Sequence, residues 1–328
     1  MKVLVTGSSG WLGRHLIPML QAQGHTPVGF DIAPSHWTDE VGSISSRETL
    51  ANVFNRHDFD AVIHAAALHK PDIVRYPQQA FIDVNVTGTL HLLELSVAHG
   101  IDRFVFTSTT SLMINQAIRA ETSEEAVWLD EDAGPHAPRN IYGVTKLAAE
   151  NLCRQHHVTR GLNTIVLRTS RFFPEEDDTH RLMSGPNMKA NELLNRRATV
   201  RDMCRAHIRA METVTDIEFG LYIVSAPTPF SRSDTLALKC DASALIERMF
   251  PDATGLYAKR GWRLPKSLGR VYDGSRIVGE LDFTYETDFS SLLAALRTEG
   301  ELPFIHDTRY ESPALGYLDI ADQRASGF

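Results

Sequence analysis

Short apolar runs recur along the first half of the chain, and each is followed by a stretch whose apolar positions keep helical spacing. Val3 to Val5 read as a buried strand. The turn Gly7-Ser8-Ser9-Gly10 follows, and then Leu12, Leu16, Ile17 and Leu20 fall on one helical face. Pro18 lies inside that helix and is expected to bend it; Gly24 is expected to stop it. Val28 to Asp31 read as the second strand, closing a unit of about 30 residues, the size of a βαβ repeat. The alternation continues with strands at Ala61 to His64, Phe104 to Phe106 and Thr164 to Leu167. Helices are expected from Val86 to His99, ended by Gly100, and from Ile141 to Cys153.

Strands alternating with helices predict an α/β fold, a doubly wound parallel sheet of the Rossmann type covered on both faces. Beyond Arg168 the pattern loosens. Residues 174–195 read as polar and irregular, Met203 to Met211 as helical, and Leu221 to Val224 as one more strand. From Pro227 the chain is richer in Pro, Gly and charge. The expected division is a Rossmann domain over residues 1–170 with a returning segment at about 196–226. Residues 171–195 and 227–328 then make a smaller C-terminal lobe.

Composition narrows the partners. A net charge of −8 argues against nucleic acid or an anionic membrane as the main partner. No apolar run is long enough to span a bilayer, and the apolar stretch at the N-terminus is too short for a signal peptide. The 3 cysteines, Cys153, Cys204 and Cys240, are widely spaced and form no CxxC. Reduced core thiols in a cytoplasmic protein fit this better than disulfides or a metal site, and no metal is expected.

Candidate chemistry begins at the turn Thr6-Gly7-Ser8-Ser9-Gly10-Trp11-Leu12-Gly13. Glycines there let the backbone approach a pyrophosphate, and the helix N-terminus supplies free N–H groups with a partial positive charge. Gly7, Ser9, Gly10, Trp11 and Leu12 are the candidate cradle. Asp31, at the end of the second strand, can accept hydrogen bonds from both ribose hydroxyls and would repel a 2′-phosphate, which favours NAD over NADP. No Arg or Lys lies between Ser8 and Leu12; Arg14 is the nearest.

Tyr142 and Lys146 stand four residues apart, on one face of a helix. The ammonium is expected to lower the phenol's pKa, so that Tyr142 acts as general acid or base. The hydroxyl run Thr107-Ser108-Thr109-Thr110-Ser111 emerges at the carboxyl edge of the sheet, where ligands bind in open α/β folds. Any of its hydroxyls could reach a reacting oxygen, although such runs are also ordinary loop and capping chemistry.

Together these residues resemble the extended short-chain dehydrogenase/reductase family, the group of NAD-dependent nucleotide-sugar epimerases and dehydratases. The resemblance rests on Gly7, Gly10 and Gly13, Asp31, His64-Ala65-Ala66-Ala67, Asn85-Val86-Thr87-Gly88-Thr89, the hydroxyl run, and Tyr142 with Lys146. Val200-Arg201-Asp202-Met203 extends it toward the C-terminal lobe. It implies NAD as cofactor, held tightly and contacted also by Ala65, Ala66, Asn85 and Thr107. It further implies Thr109 as the catalytic hydroxyl beside Tyr142 and Lys146, a C-terminal lobe that binds substrate, and a homodimer built on the helices at residues 86–99 and 142–157.

The departures bear on the substrate. Thr110-Ser111 replace the Asp-Glu pair of family dehydratases, which disfavours dehydration. Arg171 replaces the Asn that helps hold a nucleotide diphosphate, and Ser43 replaces an Asp often placed at adenine. Basic residues cluster after the fifth strand: Arg171, Arg181, Lys189, Arg196, Arg197 and Arg201. A second set surrounds Arg263, which roughly matches a family arginine on the nucleotide. Arg171, Arg263 and His69, in the loop after the third strand, are the candidate substrate contacts with Thr109. The leading expectation is oxidoreduction of a sugar or nucleotide sugar with net epimerisation through a keto intermediate. Net dehydrogenation of a sugar, uronate or other small alcohol is the second reading, and a non-catalytic NAD(H)-sensing protein the third.

Overall fold

The structure, a computed structural model, describes residues 1–175 and 183–313. Its strands are β1 (Lys2–Thr6), β2 (Thr26–Asp31), β3 (Glu40–Val41), β4 (Ala61–His64), β5 (Phe104–Thr109), β6 (Val127–Leu129), β7 (Thr164–Thr169), β8 (Phe219–Val224) and β9 (Arg270–Tyr272). Its helices are α1 (Gly13–Ala22), α2 (Arg47–Arg56), α3 (Gln78–Phe81), α4 (Gly88–Ala98), α5 (Gln116–Ala120), α6 (Ile141–Arg160), α7 (Gly185–Glu192), α8 (Val200–Ile217), α9 (Thr235–Met249), α10 (Ala253–Lys259), α11 (Ser275–Glu280) and α12 (Phe289–Arg297).

The described residues form a seven-stranded sheet in the order β3-β2-β1-β4-β5-β7-β8, all pairs parallel. Central strands are buried on both faces: Val3, Leu4 and Val5 are fully buried, as are Phe104, Val105 and Phe106. That is why they read as continuous apolar runs rather than as an alternation. The chain starts at β1, moves outward to β2 and β3, then returns to β4 on the other side of β1. This reversal opens a crevice at the carboxyl ends of β1 and β4, where α/β sheets bind ligands.

Local sequence sets the element ends. Asn140 caps α6 by accepting the Gly143 N–H at 3.0 Å, and Gly161 ends it with φ +69°. Helix α1 runs through Pro18 to Ala22. A π-helical stretch, Ile82–Thr87, precedes α4 and turns Asn85 inward. Helix α8 packs its apolar face on the sheet, burying Met203, Cys204, Ala206, Met211 and Val214.

Two sequence expectations change. Residues 174–195 were expected to be irregular, yet they contain α7, in which Asn187, Lys189, Asn191 and Glu192 are buried. Buried polar side chains leave no apolar periodicity to detect. Cys153 and Cys204 are buried free thiols, but Cys240 is exposed rather than in the core. Arg181 lies outside the described residues. A small parallel pair, β6 with β9, joins Val127 to Arg270 and Leu129 to Tyr272. Among the described residues, no helix is long and apolar enough to cross a membrane.

Candidate active site

A long cleft of about 1170 Å³, open to solvent, follows the carboxyl edge of the sheet. The glycine-rich turn forms one end. Gly7 has φ +77°, and a Cβ there would come within 2.7 Å of the Ala66 N, so only glycine lets the turn lie against the β4 loop. At Gly13 a Cβ would approach the Gly7 carbonyl to 2.3 Å. Gly10, Trp11, Leu12, Asp31, Ala65 and Ala66 all line the cleft.

A chain of hydrogen bonds locks the turn to the β4 loop. The Ala66 N–H donates to the Thr6 hydroxyl at 3.2 Å, and that hydroxyl pairs with His64 Nδ1 at 2.8 Å. His64 Nε2 meets the Thr89 hydroxyl at 2.9 Å, which donates on to the Asn85 carbonyl at 2.7 Å. The directions require Nε2 to carry the proton, and burial holds His64 well below its usual pKa, so the ring stays neutral. Asp31 accepts the Ser9 N–H at 3.0 Å and the Ala33 N–H at 2.9 Å. Burial raises its pKa against those bonds. The Ser9 hydroxyl donates to the Ala33 carbonyl at 3.0 Å, so Ser9 braces Asp31 from behind the cleft wall.

At the other end, α6 presents Tyr142 and Lys146. Burial pushes the Tyr142 phenol up to about 12, and a hydrogen bond with the Thr109 hydroxyl pulls it the other way. Thr109 accepts the Ser111 N–H at 3.1 Å. Lys146 donates to the Thr107 carbonyl at 2.8 Å and lies 4.6 Å from the Phe106 ring centre. Burial lowers it to about 7. The Lys146 ammonium is turned toward the Thr107 carbonyl, and burial, Thr109 and the Asp72 carboxylate act on the phenol.

One turn further along α6, Glu150 is buried against Arg168 of β7. The guanidinium bridges both carboxylate oxygens, at 3.0 and 2.8 Å, and the Ser108 hydroxyl donates at 2.5 Å. This pair fixes α6 against β5 and β7 one turn beyond Lys146. The Thr107 hydroxyl pairs with His207 Nε2 at 2.9 Å, while His207 Nδ1 meets the Met203 carbonyl at 2.7 Å.

The model for the NAD dependent epimerase/dehydratase family matches residues 3–222. The chain belongs to that family. Among its relatives, the UDP-glucose 4-epimerase of Rhizobium meliloti is 36% identical over 174 residues, covering 51% of this chain and 50% of that protein. The GDP-6-deoxy-D-mannose reductase of Pseudomonas aeruginosa is 33% identical over 168 residues, 51% of each chain. The chain spans about half the length of the curated relatives it matches. Among solved structures, an Agrobacterium tumefaciens short-chain dehydrogenase/reductase superfamily protein with bound NAD superposes with TM-score 0.64. Its identity is 23%, over 91% of this chain and 98% of that one. A UDP-glucose 4-epimerase from Thermotoga maritima superposes with TM-score 0.63 at 19% identity, over 91% and 99% of the two chains. At such identities the agreement is one of fold.

The cofactor of this epimerase/dehydratase family member is NAD, and the cleft fits it. The turn at Gly7 to Leu12 meets the N-terminus of α1, as a pyrophosphate requires. Ile32, Ser43 and Ile44 line the cleft beside Asp31 with no Arg or Lys among them, which suits an unphosphorylated ribose. Arg14 is engaged elsewhere, donating to the Ser9 carbonyl at 3.1 Å. Asn85 does not line the cleft. Its amide clamps the Leu68 N–H and carbonyl, both at 2.8 Å, and so shapes the β4 loop that does.

The candidate substrate contacts separate. His69 lines the cleft, stacked on Phe173 with ring centres 5.3 Å apart. Arg171 reaches the buried Glu192 at 2.9 Å. Arg263 is exposed and lines neither cavity; among the described residues only its backbone is engaged, by Asn187 and Asn191. Sequence reasoning missed Phe172, Phe173, Glu150, Arg168 and the segment at Tyr310 to Pro313, all close to the reactive end or lining the cleft. The i, i+4 spacing of Lys146 and Glu150 was the one signal on offer. A second cavity, of about 660 Å³ and open to solvent, lies between Asn191, Asn195, Arg196 and Arg270. There Asn191 Oδ1, Asn195 Oδ1 and Arg270 Nε have no hydrogen-bond partner among the described residues.

Proposed function

We propose that this protein oxidises and re-reduces a carbinol carbon of a sugar or nucleotide sugar, with epimerisation as the net result. The observation that carries the reading is Tyr142 and Lys146 side by side in the cleft wall, with Thr109 acting on the phenol from the end of β5. Tyr142 takes the proton from the substrate hydroxyl as that carbon is oxidised, and gives it back on reduction. Thr109 orients the reacting oxygen, and Lys146 anchors the cofactor's nicotinamide ribose. NAD, when bound, accepts and returns the hydride. When the keto intermediate turns over in the site, reduction occurs on its other face, and the alcohol leaves with inverted configuration.

Several features support a hydroxyl-rich substrate. The lobe cavity offers two amide carbonyls as acceptors and a guanidinium N–H as donor. No carboxylate follows Thr109, where Thr110 and Ser111 stand, so elimination of water lacks its acid and base. Several relatives are UDP-glucose 4-epimerases. Net dehydrogenation is the second reading, favoured by a 3-beta-hydroxysteroid dehydrogenase of Mycolicibacterium neoaurum, 30% identical over 193 residues. The active unit in this reading is a homodimer through α4 and α6, where Val144 and Val158 are 48% and 74% exposed.

The test is to offer nucleotide sugars, free sugars and uronates with NAD while following the reduced-nicotinamide absorbance and the product's configuration. Epimerisation gives a new stereoisomer without net reduction. Stoichiometric reduction replaces it with the dehydrogenase reading, and silence in both assays removes sugars from consideration. Tyr142→Phe should lower turnover by about 10²–10⁴-fold while NAD still binds. An undiminished rate would remove the catalytic assignment and leave an NAD(H)-sensing module. Because the phenol must ionise to act as base, turnover in the oxidising direction should rise toward alkaline pH.

A further inference from the structure

The last described stretch of the chain runs back across the cofactor cleft. Phe304 anchors it in the main core, and the Asp307 N–H donates to the Pro174 carbonyl at 3.1 Å. From there it reaches the glycine-rich turn. The Tyr310 ring meets Trp11 edge-on, with centres 5.0 Å apart, and the Arg14 guanidinium lies 5.3 Å from the centre of the same ring. Two residues on, the Ser312 hydroxyl pairs with His69 Nε2 at 3.1 Å, on the loop after β4. Tyr310, Ser312 and Pro313 thereby become part of the cleft wall, together with Trp11 and His69.

Two side chains in this contact carry unmet polar atoms. Trp11 Nε1 and the Tyr310 hydroxyl are buried, and neither has an aligned hydrogen-bond partner among the described residues. The Tyr310 hydroxyl lies close to the Trp11 main chain and to Ser312, but without bonding geometry. Buried donors left unpaired are costly and rare in folded proteins. Here two of them stand side by side on a wall that also includes the N-terminal turn of α1. Acceptor oxygens would satisfy both, and a dinucleotide's pyrophosphate brings such oxygens to such a turn.

We propose that residues 305–313 are a strap across the cofactor cleft, and that Trp11 and Tyr310 donate to the bound dinucleotide and retain it between turnovers. The cluster of Arg14, Tyr310 and Trp11 fastens one end of the strap, and the Ser312–His69 bond fastens the other. Both must open for the cofactor to leave. Retention suits a reaction that returns its hydride, whereas a net dehydrogenase must release its cofactor every cycle. The proposal rests on NAD occupying the cleft and not on the identity of the substrate.

The test measures NADH dissociation from the full chain by stopped-flow fluorescence, chasing with excess NAD and with no sugar present. Tyr310→Phe keeps the ring and removes the hydroxyl. It should release NADH about tenfold faster, the size of a lost hydrogen bond to a charged group. Tyr310→Ala, and a chain ending at Phe304, should release it faster still. Wild-type dissociation rates in both Tyr310 variants would overturn the proposal. So would faster association with unchanged dissociation, since the strap would then only obstruct entry. Should the shortened chain fail to fold, Tyr310→Phe decides alone. Failure here leaves the epimerase reading standing, and failure of the sugar assay leaves this measurement intact.

Discussion

Glu150 and Glu192 flank β7 in sequence and are equally buried, with side chains 5% and 3% exposed, yet their surroundings differ. Glu150 meets a single guanidinium, that of Arg168, in a bidentate pair between a regular helix and a regular strand. Glu192 lies among three: Arg171 at 2.9 Å, Arg196 at 3.1 Å and Arg197 at 2.8 Å. Burial pushes Glu192 up, but the guanidiniums of Arg197, Arg171 and Arg196 outweigh it and hold the carboxyl below its usual range. Lys189 is buried nearby, lowered to about 8 by burial and by Arg197, with its ammonium donating to the Glu175 carbonyl at 2.8 Å. In the sheet domain, packing positions the chain and the ion pair fixes one contact. Between β7 and α8, a charge cluster stands where a sheet would otherwise supply order. Breaking a buried pair by removing one partner strands the other charge, so the cluster is the more exposed to mutation.

The largest stability effect should follow from Glu192→Ala, which strands three guanidiniums. Urea unfolding should show a loss of about 3–5 kcal/mol. A loss below about 1 kcal/mol would mean that water already satisfies the arginines and would erase the contrast. Glu150→Gln should come next, at about 1–3 kcal/mol, because the amide keeps part of the hydrogen bonding. Unlike the Glu192 variant, it should also lower turnover beyond what its stability explains, since Lys146 lies one turn away on the same helix.

Acid titration tests the Glu192 cluster directly. A carboxyl whose folded pKa lies below its unfolded one stabilises the fold above the unfolded value, and that contribution disappears as pH falls through the folded value. Denaturant midpoints should therefore hold from neutral pH to the ordinary carboxylate range and fall below it. Glu192→Gln should flatten that fall, and an unchanged profile would assign it to other carboxyls. The smallest effect belongs to Arg263→Ala. Its exposed side chain predicts a stability change within about 0.5 kcal/mol. A raised KM with kcat unchanged would restore it as a substrate contact.

Much of this molecule was legible because its chemistry coincides with its periodicity. The strand, glycine turn and helix at residues 3–20 obey local rules, and only glycine fits at Gly7. Asp31 follows from the same unit, and Tyr142 with Lys146 from helical spacing alone. Strand order, by contrast, could be inferred only as a class. Asn85 was read as a cofactor contact and instead clamps Leu68, because the π-helical stretch before α4 turns it inward.

The sequence by itself determined the fold class, the cofactor and the pair on α6, since each depends on neighbours no more than one element apart. Tertiary structure alone decided the rest. It turned Lys146 toward Thr107, set Glu150 under it, surrounded Glu192 with arginines, and laid Tyr310 on Trp11, far away along the chain. Those contacts join residues far apart in sequence, and a buried charge or a lone aromatic carries no local pattern that announces its partner.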